Sequence, residues 1–183
     1  MKSVIIIPAL NEEAAIGGVV DSIIHQVDRG IVVDNGSTDQ TAERAAQAGA
    51  DVIHVAQPGY GRACLAGVAA AADCDLLIFM DGDGADDPAD LASLMRPILR
   101  GEADLVIGSR TLGRTEIGAL TLPQRWGNAL ATSLMHVFWN GPFTDLGPFR
   151  AIRRSAYQRL AMQATTFGWT VEMQVRAMKQ QLR

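Results

Sequence analysis

This sequence has little cysteine, no long apolar run and no excess of positive charge. Only Cys64 and Cys74 occur among the 183 residues, and their spacing fits neither a zinc site nor a redox pair. We therefore expect both to be reduced thiols in a reducing compartment. The apolar runs are too short to cross a bilayer, and Val4–Ile7 stops at Pro8 before it reaches the length of a signal-peptide core. The net charge of −4 gives no indication of nucleic-acid binding.

Glycine-rich phosphate-binding motifs are absent as well. No Walker A motif occurs and no Gly-x-Gly-x-x-Gly follows the first predicted strand, which disfavours a P-loop or dinucleotide-binding protein. The nearest string is Gly59–Cys64, in which Cys64 replaces the third glycine. The first strand leads instead into Pro8–Glu13, where Asn11 is suited to cap a helix and the acids to its first turn. That segment is explained equally well as a helix start and as part of a binding site.

Short β-rich runs alternate with helical stretches in the first half of the chain. Four strands are predicted, at Val4–Ile7, Ile31–Val33, Val52–Val55 and Leu76–Met80. Helices are predicted between them, at about Glu12–Gln26, Thr38–Ala48 and Gly61–Ala72. Near-continuous apolar strands that are each followed by a helix are typical of a parallel sheet covered on both faces. The predicted fold class is therefore α/β, with a Rossmann-like, mostly parallel sheet.

The pattern changes after a fifth predicted strand, Leu105–Ile107. The remaining elements are a loop at Gly113–Leu122, a strand at Phe149–Ile152, and helices at about Pro123–Trp139, Arg154–Met162 and Thr170–Leu182. No repeat or linker divides residues 1–183, so we expect a single domain. The sequence stops inside the last predicted helix without a cap signal, which leaves a C-terminal truncation open.

An acidic turn directly follows the fourth predicted strand. Ligands of open α/β sheets bind at the carboxyl ends of strands, and Asp81 and Asp83 stand at such an end, ahead of a helix start at Asp87 and Pro88. Residues two apart in extended chain point the same way, so the two carboxylates could lie about 5 Å apart. Their repulsion would be roughly 3 kcal/mol at an effective dielectric of about 20, and a divalent cation would turn it into attraction. Carboxylates of this kind suit Mg²⁺ or Mn²⁺ together with substrate phosphates.

Two further features point to a nucleotide with a diphosphate. Asp34 ends the second strand, where it can accept a hydrogen bond from a base or a ribose hydroxyl, while Ser37 or Thr38 is expected to cap the next helix. Arginines are the side chains that a diphosphate or a phosphorylated acceptor needs. They crowd the second half of the chain, at positions Arg110, Arg114, Arg125, Arg150, Arg153, Arg154 and Arg159.

Taken in order, these segments resemble glycosyltransferase family 2, the inverting enzymes of the GT-A fold. The resemblance is to the branch of dolichol-phosphate mannose synthases and other polyprenyl-phosphate hexosyltransferases. The matching strings are Ile7–Glu13, Val33–Asp39, Asp81–Asp83, Gly108–Arg110, Asp145–Arg150 and Gly168–Met173. Each string is a weak signal alone, but the ordered set covers nearly the whole chain. The resemblance implies a nucleotide-sugar-binding half at about residues 1–110 and an acceptor-side half at about residues 111–183.

The resemblance also implies roles for individual residues. The nucleobase and ribose would be surrounded by Pro8, Leu10, Glu12 and Asp34. Asp81 would lie near the ribose or the metal, and Asp83 would bind the metal, which is Mg²⁺ or Mn²⁺. The diphosphate or a phosphorylated acceptor would be faced by Arg110, Arg125 and Arg150. Ala85 departs from the family pattern, because members often carry a glutamine there as a further metal ligand.

The acceptor is less constrained than the donor. The resemblance implies a nucleoside diphosphate sugar as donor, and it includes a polyprenyl phosphate at the membrane surface among the acceptors. An alcohol acceptor needs a general base, for which Asp145 or Glu172 is available, whereas a phosphate acceptor needs none. The chain is expected in the cytoplasm. A peripheral position at the inner face of the membrane and a homo-oligomer are both left open.

Three functions are therefore weighed. The leading prediction is inverting, metal-dependent transfer of a hexose from a UDP-sugar or GDP-mannose. A nucleotidyltransferase on a related sheet would need a glycine-rich, basic loop after the first strand, and Pro8–Glu13 does not supply one. A truncated or non-catalytic module that binds nucleotide-sugar stays open because of Ala85 and the C-terminal end.

Overall fold

The computed structural model describes residues 1–109 and 146–183. Its elements in chain order are β1 (Ser3–Ala9), α1 (Ile16–Ile23), β2 (Arg29–Asp34), α2 (Thr41–Gln47), β3 (Asp51–His54), α3 (Tyr60–Ala70), β4 (Leu76–Phe79), α4 (Leu91–Leu99), β5 (Leu105–Ile107), β6 (Arg150–Arg153), α5 (Arg154–Leu160) and α6 (Gly168–Lys179). Short 3₁₀ turns follow α1 at Ile24–Gln26 and precede α4 at Pro88–Asp90. The predicted loop at Gly113–Leu122 and helix at Pro123–Trp139 lie outside the described residues.

The described strands form one sheet in the order β3-β2-β1-β4-β6-β5. Strand β1 pairs in parallel with β2 and with β4, and β2 pairs in parallel with β3. Strand β6 runs antiparallel to β4 and to β5. The predicted mostly parallel α/β sheet is therefore confirmed.

Alternate residues of β1 contribute to two separate core layers. Val4 and Ile6 pack with side chains of α3, α5 and α6, whereas Ile5 and Ile7 pack with side chains of α1, α2 and α4. Because successive side chains of a strand point to opposite faces, helices cover both faces of the sheet. All of β1 is buried, which explains why it reads as a continuous apolar run.

The start of α4 follows the predicted helix-start signal. The Asp87 carboxylate accepts a hydrogen bond from the Ala89 N–H at 2.9 Å, and Pro88 occupies the first position of the 3₁₀ turn. Among the helices that the structure describes, none is long and apolar enough to span a bilayer.

Candidate active site

The carboxyl ends of β1, β2 and β4 meet at one edge of the sheet. Ala9 pairs with Asp34 at the ends of β1 and β2. The Met80 N–H, just past β4, donates to the Ile6 carbonyl at 3.2 Å. The segments that leave these three strands therefore begin side by side, and they carry most of the predicted site residues that the structure describes.

Asn11 ties the loop after β1 to the loop after β2. Its φ of 56° lies in the left-handed region, which asparagine adopts more readily than most residues. Its N–H donates to the Ser37 hydroxyl at 2.9 Å, and its Oδ1 accepts from the Thr38 N–H at 2.9 Å. The prediction that Asn11 caps the first helix is wrong, because α1 begins at Ile16 and the asparagine side chain serves the neighbouring loop.

Asp39 completes this connection between the two loops. Its carboxylate accepts hydrogen bonds from the Thr41 N–H at 3.0 Å, from the Thr41 hydroxyl, and from the Glu13 N–H at 3.2 Å. The hydrogen bond from the Thr41 hydroxyl is the largest of the effects that lower the pKa of Asp39. The prediction that Ser37 or Thr38 caps the second helix is wrong, because α2 begins at Thr41 and both residues bind Asn11 instead.

Glu12 lies among other acids at this edge. Partial desolvation raises its pKa above the ordinary value of 4.5, and the negative charges of Asp83 and Asp39 raise it further. Its own N–H is held by the Thr41 hydroxyl at 2.8 Å, which fixes the backbone position of the acid. The structure thus brings Glu12, predicted at the nucleotide, close to Asp83, predicted at the metal.

Asp81 and Asp83 follow β4 but have different surroundings. Asp83 is exposed, and its Oδ1 accepts from the Ala85 N–H at 2.9 Å. Asp81 is half-buried, and its Oδ1 accepts from the Tyr60 hydroxyl at 3.0 Å. A Cβ at Gly82, between them, would lie 3.2 Å from the Ile16 side chain. The glycine therefore lets the turn pack closely on α1. This contact accounts for a glycine at position 82 without a bound ligand.

The donor chemistry of this turn fits a hard divalent cation that is completed by its substrate. Within residues 1–109 and 146–183, no cluster of three or more His, Cys, Asp or Glu side chains is arranged to hold a metal. Mg²⁺ and Mn²⁺ sites that bind phosphates commonly use one or two protein carboxylates and take the remaining oxygens from phosphate and water. Asp81 and Asp83 could provide the two protein carboxylates of such a site, and the negative charge of Glu12 lies nearby.

Asp34 is paired with a histidine on the neighbouring strand. The Asp34 side chain is only 8% exposed, and its Oδ1 accepts from the Ser37 N–H at 3.1 Å. Its Oδ2 lies 3.0 Å from Nδ1 of His54, whose side chain is 70% exposed. Asp34 and His54 are register partners at the ends of β2 and β3. Because both residues stand at the ends of neighbouring strands, the predicted strands could have indicated that they pair.

Arg150 is placed in the protein interior. It is fully buried, and its guanidinium donates to the carbonyls of Leu146, Gly147, Pro148 and Thr170. Its Cζ also lies 5.8 Å from the centre of the Trp169 ring. These contacts join the chain before β6 to the start of α6, and they argue against the predicted role of Arg150 at the diphosphate.

Glu172 holds a loop in place. Its carboxylate accepts from the N–H groups of Gln163 at 3.1 Å and Ala164 at 2.7 Å, and from Arg176 Nε at 2.8 Å. A carboxylate engaged in this way is a poor candidate for the general base, for which the sequence offered Asp145 as the alternative. The two backbone partners lie eight and nine residues earlier in a loop, where no local pattern pointed to them, whereas Arg176 stands four residues later in the same helix.

The other predicted site residues differ in how the structure places them. Pro8 is buried within β1, while Leu10, just past the strand, is 46% exposed at the edge. Arg110, Arg125 and Asp145 lie outside the described residues, so their predicted roles stay predictions. Tyr60, which contacts Asp81, was missed, although it stands between the two glycines of the string that resembled a phosphate loop.

The order of these strand-end segments agrees with a known enzyme family. Residues 4–161 match the family described as glycosyl transferase family 2. The chain belongs to this family. An uncharacterized glycosyltransferase of Mycobacterium tuberculosis is 36% identical over 175 residues, which cover 94% of this chain and 77% of the relative. The glycosyltransferase AglJ of Haloferax volcanii is 29% identical over 181 residues, which cover 98% of this chain and 59% of the relative.

Solved structures of the glycosyltransferase class share the fold. Glucosyl-3-phosphoglycerate synthase from Mycobacterium tuberculosis, in complex with Mn²⁺, UDP-glucose and phosphoglyceric acid, matches with a TM-score of 0.79 and 28% identity, covering 97% of this chain and 65% of that one. Its complex with Mn²⁺, UDP and glucosyl-3-phosphoglycerate matches with a TM-score of 0.80 and 27% identity, covering 98% and 66%. This chain thus spans just under two thirds of the synthase. The predicted family, GT-A fold and enzyme class are confirmed, while the dolichol-phosphate branch stays a prediction.

Proposed function

We propose that this chain transfers a hexose from a UDP-sugar to a phosphate-bearing acceptor, with a divalent cation held by Asp83 and Asp81. The observation that carries the proposal is the acidic edge where β1, β2 and β4 end. There the charge of Asp83 raises the pKa of Glu12, and Asp81 stands two residues before Asp83. Like charges collected at the ligand-binding edge of a sheet are relieved by a divalent cation, which can then bind the diphosphate on its other side.

The cation would supply electrostatic stabilisation of the departing diphosphate. Asp83 is the residue best suited to hold it, since it is exposed and its carboxylate is oriented by the Ala85 N–H. Asp81, whose carboxylate accepts from the Tyr60 hydroxyl, would be the second ligand. Mn²⁺ is a reasonable choice because similar structures of glucosyl-3-phosphoglycerate synthase contain it.

The nucleoside would lie beside the ends of β1 and β2. Asp34 offers a carboxylate held by His54 and by the Ser37 N–H, which suits a donor group on a base or ribose. The exposed side chain of Leu10 supplies an apolar contact on the same edge. UDP is favoured over GDP because the similar solved structures hold UDP or UDP-glucose.

The acceptor is proposed to carry a phosphate group. Glu172 is engaged by two backbone N–H groups and by Arg176, so it does not favour an alcohol nucleophile that needs this residue as a base. A phosphate oxygen, as in a polyprenyl phosphate, is already ionised and attacks without a base. A small phosphorylated acid such as phosphoglycerate carries the same group but attacks through its hydroxyl, for which Asp145 stays the candidate base.

Calorimetry and a transfer assay test the proposal together. In the calorimeter, the wild-type chain should bind UDP in the presence of Mn²⁺. In the transfer assay, with a UDP-hexose as donor, it should form product with one of two acceptors, a short-chain polyprenyl phosphate or 3-phosphoglycerate. Product with the lipid alone identifies the phosphate oxygen as nucleophile, and product with phosphoglycerate alone indicates a hydroxyl nucleophile. Nucleotide binding without transfer to either would support the non-catalytic module instead.

Asp83→Asn and Asp87→Asn form a matched pair for this experiment. Both aspartates are exposed, and each accepts a hydrogen bond at 2.9 Å from the N–H two residues later, which asparagine can keep. Of these two aspartates, Asp83 is the one whose charge raises the pKa of Glu12. We expect Asp83→Asn to abolish Mn²⁺-dependent UDP binding and Asp87→Asn to leave it unchanged. Equal affinities in the two variants would contradict the proposed metal ligand.

A further inference from the structure

Tyr60 connects the proposed metal site to the core layer that contains side chains of α3, α5 and α6. It is the first residue of α3, and its hydroxyl donates to Asp81 Oδ1 at 3.0 Å. Its ring stacks on Phe167, with centroids 5.9 Å apart and planes inclined by 19°. The edge of Trp169 meets it at 6.2 Å. Because two aromatic rings restrict the tyrosine ring, the direction of its hydroxyl is restricted too.

Close packing of two backbone segments sets the position of Tyr60. A Cβ at Gly59 would come within 2.4 Å of the Thr165 carbonyl oxygen, and one at Gly61 within 2.2 Å of the Ala164 carbonyl oxygen. The turn that carries the tyrosine therefore rests directly on the loop of residues 163–167. This contact, and not a phosphate, explains the two glycines of the Gly-Tyr-Gly string.

The loop of residues 163–167 is itself anchored from α6. Glu172 accepts from the N–H groups of Gln163 and Ala164, and Arg176 joins Glu172 to the Leu160 carbonyl at the end of α5. A continuous set of hydrogen bonds and contacts thus runs from α6 through the loop to Tyr60. Tyr60 is where this set reaches the carboxyl edge of the sheet.

We infer that Tyr60 is a positioning residue that orients the Asp81 carboxylate for the cation. The inference rests on the proposed function, since it takes Asp81 to be a ligand of the metal. A hydroxyl bound to one oxygen of a carboxylate limits rotation of the group, so less order has to be imposed when the cation arrives. Partners of metal ligands act in this way in many metal sites, and their loss weakens metal affinity by about 10- to 100-fold.

Tyr60→Phe is the direct test, with Tyr157→Phe as its matched control. Both tyrosines pack against aromatic rings in the same core layer. The Tyr157 hydroxyl, in contrast, makes no hydrogen bond to a carboxylate in the described part of the chain. Each substitution removes one hydroxyl and keeps the ring, so a difference between them reports on the contact with Asp81.

Calorimetry of the full chain with UDP, with and without Mn²⁺, separates positioning from a general structural effect. We expect Tyr60→Phe to weaken Mn²⁺-dependent UDP binding about tenfold, to leave metal-free UDP binding unchanged, and Tyr157→Phe to change neither. Glu172→Gln should weaken the Mn²⁺-dependent step in the same direction, with a smaller effect.

Two results would overturn the inference while leaving the proposed function intact. One is Mn²⁺-dependent binding by Tyr60→Phe that equals the wild-type affinity. The other is an equal loss with and without Mn²⁺, which would show that the hydroxyl supports the pocket as a whole. If the wild-type chain shows no Mn²⁺-dependent UDP binding, the proposed function fails and the inference fails with it.

Discussion

Replacing Gly61 by alanine should destabilise the protein although the residue lies in a helix. Alanine is the better helix former by up to about 1 kcal/mol, so local propensity alone predicts a gain. The new Cβ, however, would lie 2.2 Å from the Ala164 carbonyl oxygen and 3.0 Å from the carbonyl carbons of Ala164 and Thr165. These are backbone atoms, and they cannot move aside as the end of a flexible side chain can.

The magnitude follows from the two opposing effects. Overpacking of this kind costs about 1–3 kcal/mol. Separating the two segments would also strain the hydrogen bond from the Arg62 N–H to the Thr165 carbonyl at 3.0 Å, worth about 1 kcal/mol. After the gain in propensity, we expect a net loss of about 1–3 kcal/mol in the free energy of unfolding. Urea denaturation followed by circular dichroism measures this loss as a shift of the unfolding midpoint, with the dependence of the unfolding free energy on urea concentration unchanged.

Gly18→Ala is the control for the Gly61→Ala prediction. Gly18 lies in α1, is exposed, and has no atom within 4 Å of the position that a Cβ would occupy. The same substitution there should stabilise the protein by about 0.5–1 kcal/mol. A Gly61→Ala variant as stable as the wild type, or shifted in the same direction as Gly18→Ala, would refute the close packing of α3 against the loop of residues 163–167.

Three further predictions concern a buried charge, a titration and a product. Arg150→Lys should lower the free energy of unfolding, measured by urea denaturation, by about 3 kcal/mol or more, because an ammonium cannot satisfy the carbonyls that the buried guanidinium binds. The control Arg159→Lys, at an exposed position, should change this free energy by less than about 0.5 kcal/mol. Folding raises the pKa of Glu12 from 4.5, so its ionisation destabilises the fold increasingly as pH rises through that value. Glu12→Gln should therefore raise the Tm at pH 7 relative to the wild type and lose this advantage below pH 4.5, and an equal difference at both pH values would contradict the assignment. If transfer inverts configuration, as the resemblance to family 2 implies, proton NMR of the initial product from an α-linked donor should show a β linkage, and an α linkage would exclude inversion.

The arrangement of the sheet was largely predictable from the sequence. The first four strands are apolar runs closed by polar turns, and burial on both faces gives such runs their composition. The observed strands β1 and β4 lie within two residues of the predicted bounds at each end. The acidic turn after β4 was predictable for the same reason, because the end of a buried strand fixes where the next residues emerge.

Helix starts and the partners of charged residues were less predictable. Asn11 has the chemistry of a helix cap, yet its oxygen is taken by Thr38, 27 residues later, in a contact that only the folded sheet creates. Arg150 gives no local sign that it will bind the Thr170 carbonyl across the core. Glu172 likewise binds the backbone of a loop. Side-chain type indicated what these residues can do, and tertiary contacts decided which partner each one has.

The central claim is that a cation and a diphosphate bind at the carboxyl edge formed by β1, β2 and β4. A crystal of the full chain grown with Mn²⁺ and UDP, and measured at the manganese absorption edge, locates the metal directly. The account predicts an anomalous peak bound by Asp83, with Asp81 and the diphosphate beside it. A manganese ion and a diphosphate found at another place on the molecule, with this edge unoccupied, would contradict it.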